Sequence, residues 1–493
     1  MNNLKVLFVA AECAPYIKVG GLGDVAGELP LKLHEMGLDV CVVIPGNPDI
    51  NAQAIYKGDF PVKMGYRTET GILREVSGSP VPVWVIDNYH YLGRTGVYGH
   101  HDDPERFAFF CRAVYEMMRK FELKTDILHL NDWHTAPIAM LIRENEREYP
   151  PLSQTAIVYT IHNLEYQGIS GRNIFDLFGV KDVVFKTDKV EYYGCFNAMK
   201  SGINYADVIN SVSKTSAQQM LTDTYGFGLD GVLRVRKDYL YGILNGINTD
   251  IWNPETDKEI YTPYNKHNLD GKKENKKKLQ KELGLRVSDK PIFSVVSRLV
   301  PNKGLDLMEE AANAIVKEGG QFVLLGRGEK FYENAFLGLM EKFPGSVAVR
   351  LEFNNQLARR IYAGSDVFLM PSRHEPCGIS QLIAMRYGTV PLVHRTGGLA
   401  DTVTDVGRSK VNSNGFHFTE YSSGSLIRCI KRVFTLYRKP DEWQKLVFRA
   451  MSRDSSWETS AREYLKLYKK AMEINKKRKE TGRKRFIEKK TEG

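Results

Sequence analysis

Pro371-Ser-Arg-His-Glu-Pro-Cys-Gly-Ile-Ser-Gln381 lies between two different periodicities. Before it, Asp366-Val-Phe-Leu-Met370 is an apolar run of the kind that forms a buried strand. After it, Gln381-Leu-Ile-Ala-Met-Arg-Tyr387 follows a helical pattern. The segment is therefore a strand-to-helix turn, carrying one carboxylate, Glu375, and one glycine, Gly378. In an open α/β sheet, ligands bind at the carboxyl ends of strands, and a helix N-terminus there holds phosphate. A carboxylate beside such a cradle can grip sugar hydroxyls. Alone, the segment reads equally as a nucleotide-sugar site and as a proline-containing structural turn.

Working outward, two series of short apolar runs alternate with helical patterns. The first comprises Leu4–Ala10, Val40–Ile44, Val83–Asp87, Ile127–Leu130, Ala156–Ile161, Val208–Ser213 and Tyr241–Leu244. The second comprises Ile292–Val296, Phe322–Leu325, Val347–Leu351, Val367–Met370 and Val390–Val393. Such Val/Ile-rich runs predict parallel strands, and two series predict two doubly wound, Rossmann-like α/β domains. Turn formers at Asn245-Gly-Ile-Asn-Thr-Asp-Ile-Trp-Asn-Pro254 break both periodicities. The expected boundaries are 1–245 and 246–455 for the two domains, 456–475 for a C-terminal helix and 476–493 for a disordered basic tail. Asp454-Ser-Ser456 supplies N-cap residues for that helix, and Tyr464, Leu465, Leu467, Tyr468 and Met472 give it an apolar face.

The totals exclude several classes. With 493 residues, 42% hydrophobic and 26% charged, the composition is that of a soluble globular protein with room for several domains. No apolar stretch approaches the roughly 18 residues of a membrane span, and the N-terminus reads as a first strand rather than a signal peptide. A cytoplasmic protein is expected. The six cysteines are scattered without a Cys-x-x-Cys pair, against both a disulfide framework and a zinc cluster. Nine Lys/Arg and three Glu fall in Lys476–Gly493, so most of the +10 formal charge sits in the tail. The tail reads as a solvated end, and no nucleic-acid partner is expected.

Several strand ends carry chemistry. Lys18-Val-Gly-Gly-Leu-Gly-Asp24 follows the first strand; its glycines let a ligand approach the backbone, and Lys18 suits a phosphate. It has neither the G-x-G-x-x-G spacing nor the Walker Gly-Lys-Ser/Thr ending, which weakens dehydrogenase and P-loop readings. His129-Leu-Asn-Asp132-Trp-His134 raises a metal reading, but no third cluster supports it. Thr160-Ile-His162-Asn163 ends the next strand, with His162 either a buried core histidine or a contact to a sugar hydroxyl. In the second series, Arg298 and Lys303 lie in one proline-containing loop and together match a pyrophosphate. Gly326-Arg-Gly328 and Thr396-Gly397-Gly398 are further turns after strands. No Asp-x-Asp occurs in the chain. That absence fits a reaction in which Arg298, Lys303 and a helix N-terminus, rather than a divalent metal, neutralise a leaving phosphate.

Taken together, Lys18-Val-Gly-Gly-Leu-Gly-Asp-Val25, His162-Asn-Leu with Tyr166-Gln-Gly168, Asn245-Gly-Ile247, Ser297-Arg-Leu with Lys303-Gly304, Pro371–Gly378 and Arg395-Thr-Gly-Gly-Leu399 resemble, in order and spacing, the signatures of the bacterial glycogen synthase and plant starch synthase family. The resemblance spans nearly the whole chain. It implies a GT-B fold: two Rossmann-like domains facing across a cleft that holds the active site, with the C-terminal helix returning to the N-terminal domain. It implies transfer of glucose, with retention, from a nucleotide diphosphate to the non-reducing 4-hydroxyl of an α-1,4-glucan, without metal or cofactor. It places Lys18, Arg298 and Lys303 around the donor, His162 and Glu375 on the donor sugar, and Asp132 near the transferred glucose. Asn245 falls on the acceptor side and Phe353 against the nucleotide base. Gly20, Gly21, Asp24, Asn163, Cys377, Gly378, Ser380 and Thr396 complete the expected binding loops.

Three departures stand out. Val19 replaces the usual threonine, removing a hydroxyl beside Lys18. His374 replaces a common phenylalanine and adds a titratable group. Ile383 stands where the wider GT-B Glu-x7-Glu pattern has its second glutamate, as the synthase branch implies. With no second carboxylate placed as a nucleophile, same-face attack is expected, the departing phosphate taking the acceptor's proton and the Asn245–Pro254 segment acting as a hinge. ADP-glucose is the family's commoner bacterial donor, with UDP-glucose as the alternative. A different GT-B transferase, a phosphorylase and a non-catalytic glucan-binding protein are the other readings. Oligomeric state is not encoded in any of these motifs.

Overall fold

The computed structural model describes residues 4–409 and 411–491, with no side-chain description beyond Thr481. The chain divides into two compact units: the segment up to Asn245 together with the helix that begins at Trp457, and Gly246–Ser456.

Among the described residues the first unit holds twelve strands: β1 (Lys5–Val9), β2 (Asp39–Pro45), β3 (Ala54–Met64), β4 (Arg67–Val76), β5 (Val83–Asp87), β6 (Ile127–Asn131), β7 (Ala156–Ile161), β8 (Ile169–Ser170), β9 (Glu191–Tyr192), β10 (Cys195–Asn197), β11 (Val208–Ser211) and β12 (Leu240–Gly242). Nine of them form one sheet in the order β12-β11-β7-β6-β1-β2-β5-β4-β3, while β8, β10 and β9 form a small separate one. The large sheet is parallel from β12 to β5, and the β3–β4 hairpin adds antiparallel strands at its edge. Its central strands read as continuous apolar runs because helices cover both faces. Connections run from β1 outward through β2 and then restart at β6, so the sheet reverses its winding between β1 and β6. That is where doubly wound sheets bind ligands.

In the second unit, β13 (Ile292–Val296), β14 (Gln321–Leu325), β15 (Val347–Arg350), β16 (Val367–Met370), β17 (Val390–His394) and β18 (Phe416–Phe418) form an all-parallel sheet in the order β15-β14-β13-β16-β17-β18. Here the winding reverses between β13 and β16.

The last helix, Trp457–Thr491, packs on the first unit. Trp457 is buried and its indole N–H donates to Glu28. Tyr464 accepts from Asn210 Nδ2 at 3.1 Å, and Tyr468 Oη meets His129 Nδ1 at 2.9 Å. The buried face is Trp457, Ala461, Tyr464, Leu467, Tyr468 and Ala471, whereas Met472 is exposed. In the described residues the helix continues to Thr491, past the 456–475 span expected from the sequence. Asn475 Nδ2 donates to the carbonyls of Ser153 and Gln154 at 3.3 and 3.0 Å, and Arg478 makes a two-pronged pair with Glu146 at 3.0 and 2.6 Å. Lys, Arg and Glu are also good helix formers. Residues 492–493 of that expected tail lie outside the described residues. No described helix is long and apolar enough to cross a membrane.

Candidate active site

In the first unit, β1 runs into Ala10-Ala11-Glu12, and Glu12 organises the glycine-rich loop. Its Oε2 accepts the backbone N–H of Val19 at 2.6 Å and of Gly20 at 2.8 Å, while Oε1 accepts the Tyr98 hydroxyl at 2.7 Å. A carboxylate accepting amide bonds of this length makes strong, charge-assisted contacts. Gly20 caps the helix Gly21–Glu35, so both glycines stand at its amino end. Lys18 Nζ pairs with Asp24 Oδ1 at 2.6 Å, at the surface end of the same loop. Burial raises the Asp24 pKa, and the Lys18 ammonium opposes that rise. The Val19 side chain points largely to solvent, and only its amide is used to hold the loop.

Across the reversal point, Asp132 follows β6 with a left-handed backbone, φ 55°. An aspartate held there is strained, and such strain clusters at functional sites. Its Oδ1 accepts the N–H of His162 at 2.7 Å and of Asn163 at 3.3 Å, joining the ends of β6 and β7. Burial pushes its carboxyl up to about 7, with those two amides working in the opposite direction. His162 Nε2 meets Asn131 Oδ1 at 2.9 Å, and Asn131 in turn donates to the Val9 carbonyl at 3.0 Å. Burial lowers the His162 pKa to about 3, so the ring is neutral at pH 7. Asn163 accepts the Glu165 amide at 3.1 Å and shapes the same turn. Asn245 is buried, and its side-chain oxygen has no hydrogen-bond partner among the described residues.

The two neighbouring histidines do not converge on a metal. His129 lies in the core between Thr160 Oγ1, at 2.8 Å, and Tyr468. His134 packs against Tyr98, Phe107 and Trp133, with ring centroids 4.8, 4.5 and 4.1 Å away. No group of three His, Cys, Asp or Glu suited to a metal occurs among the described residues.

In the second unit, the loops after β13 and β16 meet at the reversal point. Lys303 Nζ and Glu375 Oε2 are 2.7 Å apart, and the Ser372 hydroxyl donates to the same oxygen at 3.0 Å. The Arg373 amide donates to the Asn302 carbonyl at 2.9 Å, fastening the two loops together. Gly304 adopts φ 74°, and a Cβ there would overlap the Pro371 carbonyl. On the far side, His394 Nδ1 meets the Ser372 carbonyl at 2.8 Å. The Thr396–Gly398 turn then lies directly on Glu375–Cys377: Gly398 N–H donates to the carbonyls of Glu375 and Pro376, each at 3.0 Å. A Cβ on Gly397 would strike the Glu375 carbonyl, and one on Gly398 the Cys377 carbonyl. The two glycines are thus required by contact, and Gly397 also by its φ of 42°.

Gly378 (φ 73°) packs on the Gln381 side chain, whose amide donates to the Cys377 and Gly378 carbonyls at 3.1 Å each. Cys377 and Thr396 are buried within this arrangement, and Ser380 begins the following helix. Burial lowers the His374 pKa, with Glu375 opposing and Lys303 reinforcing the shift. Arg298 is exposed at the mouth of the β13 loop. Phe353 is 77% exposed just after the edge strand β15 and is not drawn into the Lys303–Glu375 cluster. Sequence reasoning missed Glu12, Tyr98, Asn131, Ser372 and His394. Of these, Asn131 and Ser372 stand inside stretches quoted above, and Glu12 is a charged residue three past the first strand.

Residues 5–235 match the family model described as starch synthase catalytic domain, and residues 275–446 match glycosyl transferases group 1. The glycogen synthase of Desulforudis audaxviator is 44% identical over 485 residues, covering 95% of this chain and 97% of that protein. The chain belongs to the glycogen synthase family. The Thermotoga maritima glycogen synthase is 42% identical, covering 95% of this chain and 99% of its own length. Among solved structures, the catalytic domain of Arabidopsis thaliana starch synthase IV bound to ADP and acarbose superposes with a TM-score of 0.89 at 34% identity, covering 96% of this chain and all of that one. The sucrose-phosphate synthase of Thermosynechococcus elongatus, at 16% identity and a TM-score of 0.60 over 95% of this chain and 98% of its own, shares the fold. This glycogen synthase family member is a glycosyltransferase built from two GT-B-type α/β units.

Proposed function

We propose that this protein is an α-1,4-glucan synthase that moves glucose, with retention, from ADP-glucose to the non-reducing 4-hydroxyl of a glucan, in the cytoplasm. The Lys303–Glu375 pair at the reversal point of the second sheet carries this reading. It presents a cation for a phosphate and a carboxylate for sugar hydroxyls 2.7 Å apart at the carboxyl ends of adjacent strands. Arg298 adds a second cation to the donor diphosphate, and Lys18, at the glycine loop, serves the donor. Glu375 and His162 recognise the donor glucose, Asp132 lies beside the transferred sugar, and Asn245 serves the acceptor. Phe353 flanks the base.

In the transfer, the bond between glucosyl C1 and the phosphate oxygen breaks. A bond from C1 to the acceptor O4 forms on the same face, and the acceptor's proton passes to the departing phosphate. Arg298 and Lys303 stabilise the charge that develops there, so neither a divalent metal nor a covalent glucosyl-enzyme is required. The ADP complex of the Arabidopsis starch synthase supports ADP-glucose as donor. The test is release of nucleotide from ADP-glucose and from UDP-glucose with glycogen as acceptor, with and without EDTA. Glucan-dependent release from ADP-glucose that EDTA leaves unchanged is the expected result. Faster release from UDP-glucose would reassign the donor, loss of activity in EDTA would overturn the metal-free route, and no turnover with either donor would overturn the enzyme reading.

A further inference from the structure

A cavity of about 270 Å³ within the second unit shares no lining residue with the Lys303 and Glu375 loops. Its wall includes Lys266, Arg386 and Arg453, against one carboxylate, Asp454, and the hydroxyl-bearing residues Thr249, Ser452, Ser455 and Ser456. Arg386 and Arg453 stand at the carboxyl ends of the helices Ser380–Arg386 and Pro440–Met451, where a cation offsets the helix dipole. That role does not use up their donors. Arg386 gives Nε–H to the Trp252 carbonyl at 3.2 Å, which leaves its two terminal nitrogens for another acceptor. Arg453 Nε is buried without a hydrogen-bond partner among the described residues. Lys266 sits with its ammonium 5.5 Å above the Phe448 ring. A buried donor left unpaired costs roughly 1–3 kcal/mol, so three cations around one opening, one with an unused buried N–H, call for an anionic acceptor.

We propose that this cavity binds a phosphate group, free or as the monoester of a small alcohol. Guanidinium forks and hydroxyls match its oxygens, and its negative charge offsets the excess of cations over Asp454 and the nearby Asp401. The cavity also has a distinctive position in the chain. Thr249 lies near the start of the second unit and Ser455 and Ser456 at its end, so the wall brings together the first and last segments of that unit. The Ile247 amide already donates to the Ser455 carbonyl at 2.8 Å. A bound phosphate adds a second fastening between those two segments.

Hydrogen exchange on the full chain tests this, with inorganic phosphate and glycerol phosphate each compared with sodium chloride at equal ionic strength. Slower exchange in peptides covering 247–252 and 451–456 is expected with at least one of the two, and its absence with both overturns the proposal. Protection by both assigns recognition to the phosphate head, and protection by glycerol phosphate alone assigns it to the monoester. The Lys266→Gln/Arg453→Gln variant should lose that protection while keeping any phosphate effect on peptides that contain Lys303 or Glu375. Unchanged protection at 247–252 and 451–456 in that variant also overturns the proposal. Arg386→Gln, which removes one cation only, should weaken phosphate binding about tenfold, the size of one charged hydrogen bond, and keeps the comparison available if the double variant does not fold.

Discussion

Because Lys303 and Glu375 touch directly, their substitutions should not act independently. Their side chains are 22% and 12% exposed, so the pair is mostly withdrawn from water. Lys303→Ala removes the proposed contact to the departing phosphate and also leaves the Glu375 carboxylate with only the Ser372 hydroxyl among its observed side-chain donors. One well-placed electrostatic contact in a transition state is worth about 3–4 kcal/mol, so kcat should fall about 10²- to 10³-fold. Glu375→Ala removes the proposed grip on the sugar and also frees Lys303 from its counter-charge. Residues in direct contact couple by about 0.5–3 kcal/mol. The double variant should therefore be less impaired than the product of the single effects, by roughly two- to 150-fold. The assay is kcat at saturating ADP-glucose and glycogen for the wild type, both single variants and the double. Near-normal turnover in Lys303→Ala refutes its role. Losses that multiply to within about twofold refute the inference that the ion pair is one functional unit.

The remaining predictions concern the supports of the site. Glu12→Ala strips the acceptor from two loop amides and the Tyr98 hydroxyl, so the donor KM should rise about tenfold or more. Glu12→Gln keeps one accepting oxygen and should recover part of that loss; an unaltered KM in Glu12→Ala would show that the loop orders itself without Glu12. Gly397→Ala forces a Cβ into the Glu375 carbonyl at a left-handed backbone position. It should cost roughly 2–4 kcal/mol or lower activity sharply through displaced Glu375, and a variant with normal Tm and kcat would contradict the contact. Burial holds His129, His134 and His162 neutral, each with its pKa lowered to about 3. Their stabilising contribution is complete above about pH 6.5 and is lost as pH falls towards 3. Asp132, raised to about 7, acts oppositely: its contribution is complete below the unfolded value near 3.8 and is lost as pH rises through 7. Burial also lowers His374 and His417 and raises Asp24 and Asp207, so five imidazoles stand against three carboxyls and acid should destabilise the protein between about pH 6 and 4. His134→Phe should reduce the slope by about 1.4 kcal/mol per pH unit in urea titrations, and an unchanged slope would contradict a neutral buried His134.

Which parts of this molecule the sequence discloses follows from the range of the interactions involved. Buried parallel strands such as β7 and β16 are apolar on both faces, so they stand out as uninterrupted runs that periodicity detects. The β3–β4 hairpin escapes the same test. Ala54–Met64 lies at the sheet edge with most residues open to solvent, and Pro61 interrupts it. The final helix is legible to about Ile474, where its apolar face ends. Its continuation depends on Asn475 and Arg478 finding partners more than 300 positions earlier, which no local pattern records.

The site divides in the same way. Glu375, Lys303, Lys18 and His162 announce themselves by type and by position after strands. What they are held by is not local: Glu12, a charge legible near the end of the first strand, reaches Tyr98 across 86 residues, and the reason for Gly397 is a carbonyl in a separate loop. Val19 shows what this does to a single departure from the family pattern. Read from the sequence, a lost hydroxyl beside Lys18 threatens the order of the loop. In the fold, the group that Glu12 holds at this position is the backbone amide, which valine supplies as well as threonine does, while the side chain itself is half exposed. The order of the glycine loop is therefore set by Glu12 rather than by the side chain at position 19, and the departure is compatible with a fully formed loop.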